Sequence, residues 1–489
     1  MISLILAMVS DMDSSDLFAA FADDLDAEIE RMELKLGRRL GIQLTNDVAD
    51  NGWLNVLKHA DDTVLIAKNN EDLQALLHAA EIWCQKWQIT PNAAKSKYVI
   101  FSRVKAKKHE LRFTRKIVPQ TDDVIYLGYK LCSKGSWDKH VSYRVSKTER
   151  WDGVARHILG QCGGPPVSIA STVRCTTADS GALYGSELHG AVTVSIAHML
   201  DQNQACIAKQ ILGLRMSTNH IAAGLELGWT NLSTKARCSR LLLWWRLQQY
   251  DSPLLRGIEA YARMRNVQMS RQRKCDYNWW FHTDALLNEV ACHYQSSTDD
   301  FRRLSRERFR QLVLRWQWRR EFDEKLLTCT ASKRLSLLTT ELEFLKCEEG
   351  FERRTSWPGA PYLSVVDSKY HARLLAMARI GTLPIEVETG RWRSPVIPYT
   401  QRLCSFGCNV IGDTDHFLCS CAGLDDFEPI SGKRSTTNQD WKAIARCLEF
   451  RWRMRKIRLR GGSYPALHLE ETLDTDQIAE QQQMDAHRA

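Results

Sequence analysis

The sequence predicts an α+β chain in which a small strand-bearing region precedes a long, mostly helical one and a compact cysteine-histidine module. Three observations carry this. Within residues 1–134 the apolar spacing switches between a period near 3.6 and short β-rich runs. After Trp137 the strand-like runs give way to helical spacing. Finally, Cys404, Cys408, Cys419 and Cys421 crowd into 18 residues, whereas most of the other cysteines are scattered singly.

The elements follow in order. Residues 14–40 read as a helix, with Leu17, Phe21, Leu25, Ile29 and Met32 recurring at three- and four-residue steps and Ser14 or Ser15 as a cap. After Gly41, WLNVLKHADDTVLIAKN (53–69) has β-rich halves on either side of two aspartates, which predicts a strand, a tight turn and a strand. From Asn70 to Gln88 a helix resumes, with Leu73, Leu76, Leu77, Ala80, Trp83, Cys84 and Trp87 on one face. TPNAAKSK is a turn, YVIFS a strand, and DVIYLGYKL (123–131) a further strand whose internal glycine suggests a bulge. Gly163, Gly164, Pro165 and Pro166 punctuate the first helices beyond Trp137. Residues 236–350 are helical and rich in Arg and Trp, and PYLSVVDSKYHARLLAMARIGTLP reads as a helix ending near Gly381. The Gln- and acid-rich end, about 462–489, has the composition of a disordered tail.

Composition narrows the function. The 489 residues carry 67 basic against 58 acidic side chains, a net charge of +9, which suits contact with a polyanion without demanding it. No apolar run approaches the roughly 18 residues of a membrane helix, and MISLILAMVS lacks a basic flank and meets Asp11, so secretion and membrane insertion are not expected. Scattered cysteines read as reduced thiols in a nuclear or cytoplasmic setting.

Asp61 and Asp62 sit at the apex of the expected hairpin. Alone, two aspartates at a turn are ordinary; as neighbouring carboxylates they also suit a divalent cation, since Mg²⁺ takes hard oxygen ligands and bridges them to phosphates. Their context sharpens the reading. HADD (59–62), an apolar strand, a long helix ending in Trp83, Cys84 and Trp87, then Asn92, Lys95, Ser96 and Lys97 and a strand resemble the palm of reverse transcriptases, above all those of non-LTR (LINE-type) retrotransposons, with His59 in place of the usual aromatic residue. YLGYKL (126–131) looks like the primer-grip strand of that family, and ALYGSELHG (182–190) and ILGLRMSTNHIAAGLELGW (211–229) look like its thumb and post-thumb helices. The resemblance spans about 170 residues. It implies two-metal nucleotidyl transfer onto a DNA primer on an RNA template. Asp61 would be a Mg²⁺ ligand, Asp62 a second ligand or orienter, and Lys95 the general acid toward pyrophosphate. The similar FADD at Phe21–Asp24 lies in a 3.6-periodic run and is expected on a solvated helix face. The family's earlier F-x-x-D carboxylate and its Q-G-x-x-x-S-P segment have no counterpart in residues 1–60, Asp11 and Asp13 lying too close to the hairpin. The resemblance therefore implies the C-terminal part of such an enzyme, inactive alone, or else a non-catalytic nucleic-acid-binding remnant with thumb and knuckle.

CSFGCNVIGDTDHFLCSC supplies Cys404, Cys408, His416, Cys419 and Cys421. Cys-x3-Cys followed by His-x4-Cys fits a tetrahedral Zn²⁺ site of three thiolates and an imidazole, with Cys421 or else Cys419 as the fourth ligand. The run from LLAMARIGTLP through TQRLCSFGC to DTDHFL resembles the zinc-binding tail of the same elements, with three rather than two residues inside the first cysteine pair. Two basic stretches remain. Residues 301–320 hold eight Arg with Trp316 and Trp318, and Leu304, Phe309, Leu312 and Trp316 predict an amphipathic helix with incidental nucleic-acid affinity. RWRMRKIRLR (451–460) suits phosphate contact or nuclear localisation. The expected layout is a partial polymerase palm at 1–134, a thumb-like helical region at 135–235, a helical connector at 236–395, a zinc knuckle at 396–425, and a basic stretch and tail at 426–489.

Overall fold

A computed structural model describes residues 15–44, 52–59, 62–92, 95–102, 109–160, 167–270, 279–424 and 441–460. Helix makes up 62% of it and the strands are short antiparallel pairs, so the fold is α+β with helix dominant. The chain divides into two compact units, one up to Ile380 and one from Gly381. The expected start of the knuckle, residue 396, falls inside the second unit.

The first unit opens with α1 (Ser15–Leu36), then β1 (Ile42–Gln43), β2 (Trp53–Leu54), β3 (Val56–His59), β4 (Asp62–Leu65) and α2 (Asn70–Lys86). β1 pairs with β2 and β3 with β4. The alternation along β4 explains the layering. Leu65 and Ala67 join the core made with Leu25, Ile29 and Met32 of α1 and Leu73, Leu76, Leu77 and Trp83 of α2. Val64 and Ile66 point the other way, into a core with Val99 and Val124. A period of two thus sends successive side chains into two apolar layers. Lys86 reaches Asp24 of α1 at 2.8 Å and Lys58 reaches Asp26 at 2.7 Å. Asn69 caps α2 by accepting from the Asp72 amide, and Asp72 pairs with Arg38. Trp87, expected on the buried face of α2, is 36% exposed because the helix ends at Lys86.

β5 (Leu111–Phe113) pairs with β6 (Lys116–Val118), and β7 (Asp123–Tyr126) with β8 (Tyr129–Cys132). Two strand expectations change. YVIFS forms no ladder: among the described residues Tyr98 makes a single parallel bridge to Gln120. DVIYLGYKL is not one bulged strand but a hairpin, because Leu127 (φ 46°) and Gly128 (φ 80°) both adopt the left-handed conformation of a two-residue turn. Tyr184 holds that turn: its hydroxyl donates to the Leu127 carbonyl at 2.5 Å, and its ring lies where a Gly128 side chain would stand. The described strands therefore make four two-stranded pairs rather than one sheet.

Helices follow: α3 (Asp138–Gly160), α4 (Val167–Ala182), α5 (Ser186–His189), α6 (Val194–Ile211), α7 (His220–Glu226), α8 (Leu232–Gln249), α9 (Pro253–Ser270), α10 (Trp279–Tyr294), α11 (Thr298–Arg303), α12 (Arg306–Thr330), α13 (Ser336–Lys346) and α14 (Lys369–Arg379). The long helix expected from Pro361 starts only at Lys369, where Ser368 caps it. The Gly163–Pro166 punctuation and the 462–489 tail lie outside the described residues.

A polar knot ties the β7–β8 hairpin to the helices. The Lys130 amide donates to His140 Nδ1, and His140 Nε2 donates to the Tyr184 carbonyl at 2.9 Å. Tyr129 donates to Glu187, and Arg240 donates to the His189 and Trp279 carbonyls and to Thr283. His189 is buried and its Nδ1 accepts from the Ala191 amide, which fixes the neutral ring. Burial, with the nearby His140 and Arg240 charges, drops its pKa to about 3. An unfolded histidine protonates near 6.5, so between about pH 6.5 and 3 the unfolded chain takes up a proton the folded one refuses. Stability should fall with pH across that window, by up to about 1.4 kcal/mol per unit from this group. His189→Gln should flatten that slope in urea titrations at pH 7, 6 and 5. In the same unit Arg379→Met should cost about 3–5 kcal/mol, because it strands the buried Glu226 carboxylate that Arg379 Nε contacts at 2.9 Å. Adding Glu226→Gln should recover part of that loss in the same titration.

Candidate metal centre

The second unit holds the chain's most definite site. α15 (Glu386–Thr389) leads to a turn at Tyr399–Gln401, then an antiparallel bridge between Leu403 and Ile411. Inside it the Cys404 amide donates to Val410 and the Gly412 amide to Arg402. Gly407 (φ 84°) and Asn409 (φ 53°) let the loop double back, which brings Cys404 and Cys408 to one side. The Phe406 amide points at Cys404 Sγ, 3.4 Å away. A wide turn over His416–Ser420 then returns the chain, started by Asp413, whose carboxylate accepts from the His416 amide at 2.8 Å.

Cys404, Cys408, His416 and Cys421 converge, with one ligand atom from each lying within 4.8 Å of all the others. Cys421 Sγ is 3.7 Å from Cys404 Sγ and 3.8 Å from Cys408 Sγ. A tetrahedral ion with bonds of about 2.3 Å to sulfur separates its thiolates by about 3.8 Å, so the spacing is that of zinc ligands. His416 Nε2 is buried with no hydrogen-bond partner, while Nδ1 faces the Ser420 hydroxyl at 3.4 Å. That leaves Nε2 as the ring nitrogen available to a metal and Nδ1 for an outer hydrogen bond. Among the described residues this is the one cluster able to hold a metal, and a Cys3His set could bind zinc. The choice between Cys419 and Cys421 follows from the turn. An α-helical turn would set Cys419, three residues on, beside His416; the wider turn carries Cys421 round instead.

The thiols also want a cation. Burial pushes the Cys404 and Cys421 thiols up, Cys421 further because the other two thiols crowd it. Burial opposes ionisation of Cys408 as well, but amides of Gly423 and Ala422 and hydrogen bonds with Cys404 and Cys421 bring it below its ordinary value. Three thiolates cannot coexist here without a positive charge. α16 (Trp441–Leu459) adds to that balance: Arg451 Nη1 donates to the Phe417 carbonyl at 2.9 Å, and Trp452 meets the Phe417 ring edge-on. Arg455 pairs with Glu386 at 3.0 Å.

Sequence reading missed this role of 451–460. Arg451 and Arg455 are 2% and 5% exposed and belong to the knuckle's own packing, leaving Arg453, Arg458 and Arg460 on the surface. The signal was present in Trp441, Ala445, Leu448 and Trp452, a helical stripe that continues into Arg455.

The remaining site residues lie in the first unit. β3 and β4 pair from Val56↔Leu65 to His59↔Asp62, and Asp62 opens β4. Asp61 itself lies outside the described residues, as do Asp11 and Asp13. Burial and, second, the Asp62 charge raise the Tyr126 phenol, which places the Asp62 carboxylate in the field of the β7–β8 hairpin. Lys95 is exposed in a turn built by Asn92, whose carbonyl accepts from the Lys95 amide and from the Ser96 amide and hydroxyl. Asp24 of the second FADD sits on α1 and pairs with Lys86. The 301–320 stretch spans α11 and α12; Phe309 and Trp316 are buried and Leu304 and Leu312 half-buried against the same core, as the amphipathic reading expects. Four of its arginines meet acids: Arg302 with Asp299, Arg310 with Glu307, Arg319 with Glu352 and Arg320 with Glu289. No protein-family model and no curated protein matches the chain.

The metal centre makes a direct prediction. Cys419→Ser should keep one zinc per chain by elemental analysis. Cys421→Ser should weaken zinc binding by about a hundredfold, about 2.7 kcal/mol or roughly a quarter of the binding free energy of a four-ligand structural site. Equal zinc binding by both variants would reject the ligand set.

Proposed function

We propose that this chain carries the C-terminal part of an RNA-directed DNA polymerase of the non-LTR retrotransposon kind, and that residues 1–489 alone bind nucleic acid without copying it. The observation that carries the reading is the β3–β4 hairpin. Its second strand opens at Asp62, which follows Asp61 in the sequence, and the Asp62 charge acts on Tyr126 of the neighbouring hairpin. That is the local setting in which paired carboxylates serve as metal ligands next to a primer-binding strand. By the resemblance Asp61 and Asp62 would hold Mg²⁺, which would activate the primer hydroxyl and stabilise the departing pyrophosphate. By the resemblance Lys95, exposed in its turn, would protonate that pyrophosphate. The Cys3His knuckle supports an RNA or target-DNA contact. A small zinc-folded loop carries surface arginines on α16 and no catalytic water position, as a structural, four-ligand site requires.

Residues 1–489 contain neither the earlier palm carboxylate nor the nucleotide-positioning segment, so two carboxylates face a task that takes three. The alternative, a nucleic-acid-binding remnant, rests on the knuckle alone. Both readings meet in one set of assays on the purified 1–489 polypeptide. Single-stranded RNA should be retained, with affinity falling steeply between 50 and 200 mM salt, on the order of tenfold or more for several phosphate contacts. Zinc removal should reduce retention, and primer extension with Mg²⁺ should give no product. Incorporation abolished by Asp62→Asn would show a working polymerase; absence of salt-dependent RNA binding would end the proposal.

A further inference from the structure

The loop that follows α15 is exposed and braced at the same time. The Ile397 amide donates to the Gly390 carbonyl at 3.0 Å, which closes a loop over residues 391–396. Arg402 is buried beneath it. Its guanidinium donates to the Ile397 and Val387 carbonyls, both at 2.8 Å, and its stem lies where a Gly390 side chain would stand. Two aromatic residues lie close to that closure, Trp392 two residues past Gly390 and Tyr399 two past Ile397. Trp392 is 43% exposed and Tyr399 52%. Around them Arg391, Arg393, Ser394, Thr400 and Gln401 are exposed as well. Arg391 meets Glu388 at 3.6 Å, and Arg393 pairs with no acid among the described residues.

Charge decides what such rings would meet. Among its described residues the second unit has eleven Lys and Arg against five Asp and Glu. Most of those acids are already engaged: Glu386 with Arg455, Glu388 with Arg391, Glu449 with Arg453, and Asp413 with the His416 amide. The surplus is positive and complements a phosphate backbone. A protein partner would ask for a continuous apolar patch. Here guanidinium, hydroxyl and amide groups interrupt the rings. Rings spaced among cations suit unpaired bases, since every base has a face to stack on and every nucleotide brings a phosphate. A duplex presents its phosphates but keeps its bases stacked on one another, so it can use only the cations. The brace favours binding too, because a loop already held in place loses little freedom when it is occupied.

We propose that the 390–403 loop is a stacking platform for single-stranded nucleic acid, with Trp392 and Tyr399 against the bases and Arg393 at a phosphate. The platform rests on the nucleic-acid reading above and adds to it a preference for unpaired strands. The zinc-loaded full chain and its variants are titrated with a labelled single-stranded RNA and with a blunt RNA duplex of the same length, from about 50 to 200 mM salt. Trp392→Ala and Tyr399→Ala should each weaken single-strand binding on the order of tenfold while changing duplex binding by less than about twofold. Trp392→Leu, which keeps apolar bulk without an aromatic face, should lose as much, and Trp392→Phe should retain most of the affinity. Arg393→Ala should weaken binding of both ligands and lower the salt slope by about one. Every variant should keep its zinc by elemental analysis, so that a loss of binding is not a loss of the knuckle. Single-strand binding unchanged in both alanine variants, or an equal loss for single strand and duplex, would overturn the platform and leave the broader reading standing. Absence of salt-dependent RNA binding by the wild-type chain would end both. Self-association of the wild-type chain that Trp392→Ala abolishes, with RNA affinity unchanged, would assign the loop to a second copy of the chain and overturn the platform as well.

Discussion

Two carboxylates withdrawn from water organise the helical part of the first unit. Glu226, at the end of α7, is 1% exposed; Arg379 of α14 and the Tyr362 hydroxyl both donate to it. Arg379 in turn grips both oxygens of Glu341 on α13 at 2.7 Å. Five residues later the Asn231 amide donates to Glu321 of α12, which also accepts from the Trp357 indole and pairs with Lys325 at 2.6 Å. Lys325 then donates to the Trp229 carbonyl, and the Trp229 indole to Ser171 of α4. A buried ion is tolerated only when every one of its partners arrives in place. Residues 226–231 therefore have their polar groups satisfied only in company with α4, α12, α13 and α14. Gly228 (φ 69°) marks how closely: a side chain there would strike the Gly359 backbone.

This explains why some of the fold was legible in the sequence and some was not. Helices α1 and α2 announce themselves because Leu25, Ile29, Leu73, Leu76 and Leu77 face an apolar core, and apolar burial leaves a periodic trace. The hairpin whose second strand opens at Asp62 is legible for the same reason, through Val64 to Ala67. What the sequence hides is polar burial. Glu226, Glu321, Lys325, His189 and Gln317 look like surface residues in a one-dimensional reading, and each is nearly enclosed. The partners of the Glu226, Glu321 and Lys325 side chains lie between 4 and 153 residues away, so these pairings reside in topology rather than spacing. The hairpin at Leu127–Gly128 was misread as a bulged strand for a related reason. A left-handed leucine is improbable locally, and it is Tyr184, 57 residues on, that holds it there.

The cysteine-histidine centre shows the opposite case, in which chemistry outruns propensity. Its ligands were recognisable because thiolate and imidazole donors are rare at such density, and their convergence needs only short loops. Yet choosing among five donors required the backbone. The wide turn at His416 decides which cysteine comes round, and no composition rule foretells a turn of that width. The outer contacts were hidden too, since Arg451 was counted among surface charges, whereas its guanidinium donates into the turn that carries the histidine.

That double use of arginine bears on how this chain would meet a polyanion. A net charge of +9 suggests a generous basic surface, but much of the Arg content has local duties. Arg174, Arg240, Arg379, Arg402, Arg451 and Arg455 are buried, and four arginines of 301–320 face acids. A phosphate contact needs a guanidinium that gives up only water, because displacing an existing carboxylate partner forfeits much of the gain. The arginines that meet this condition best are exposed ones with no acid partner among the described residues, such as Arg458 and Arg460 at the end of α16. They sit on the helix that also braces the zinc-ligand turn through Arg451 and Trp452. If the Cys3His set holds zinc, folding of the loop and presentation of those charges are coupled through one helix, and stripping the ion would disturb the element on which these arginines stand.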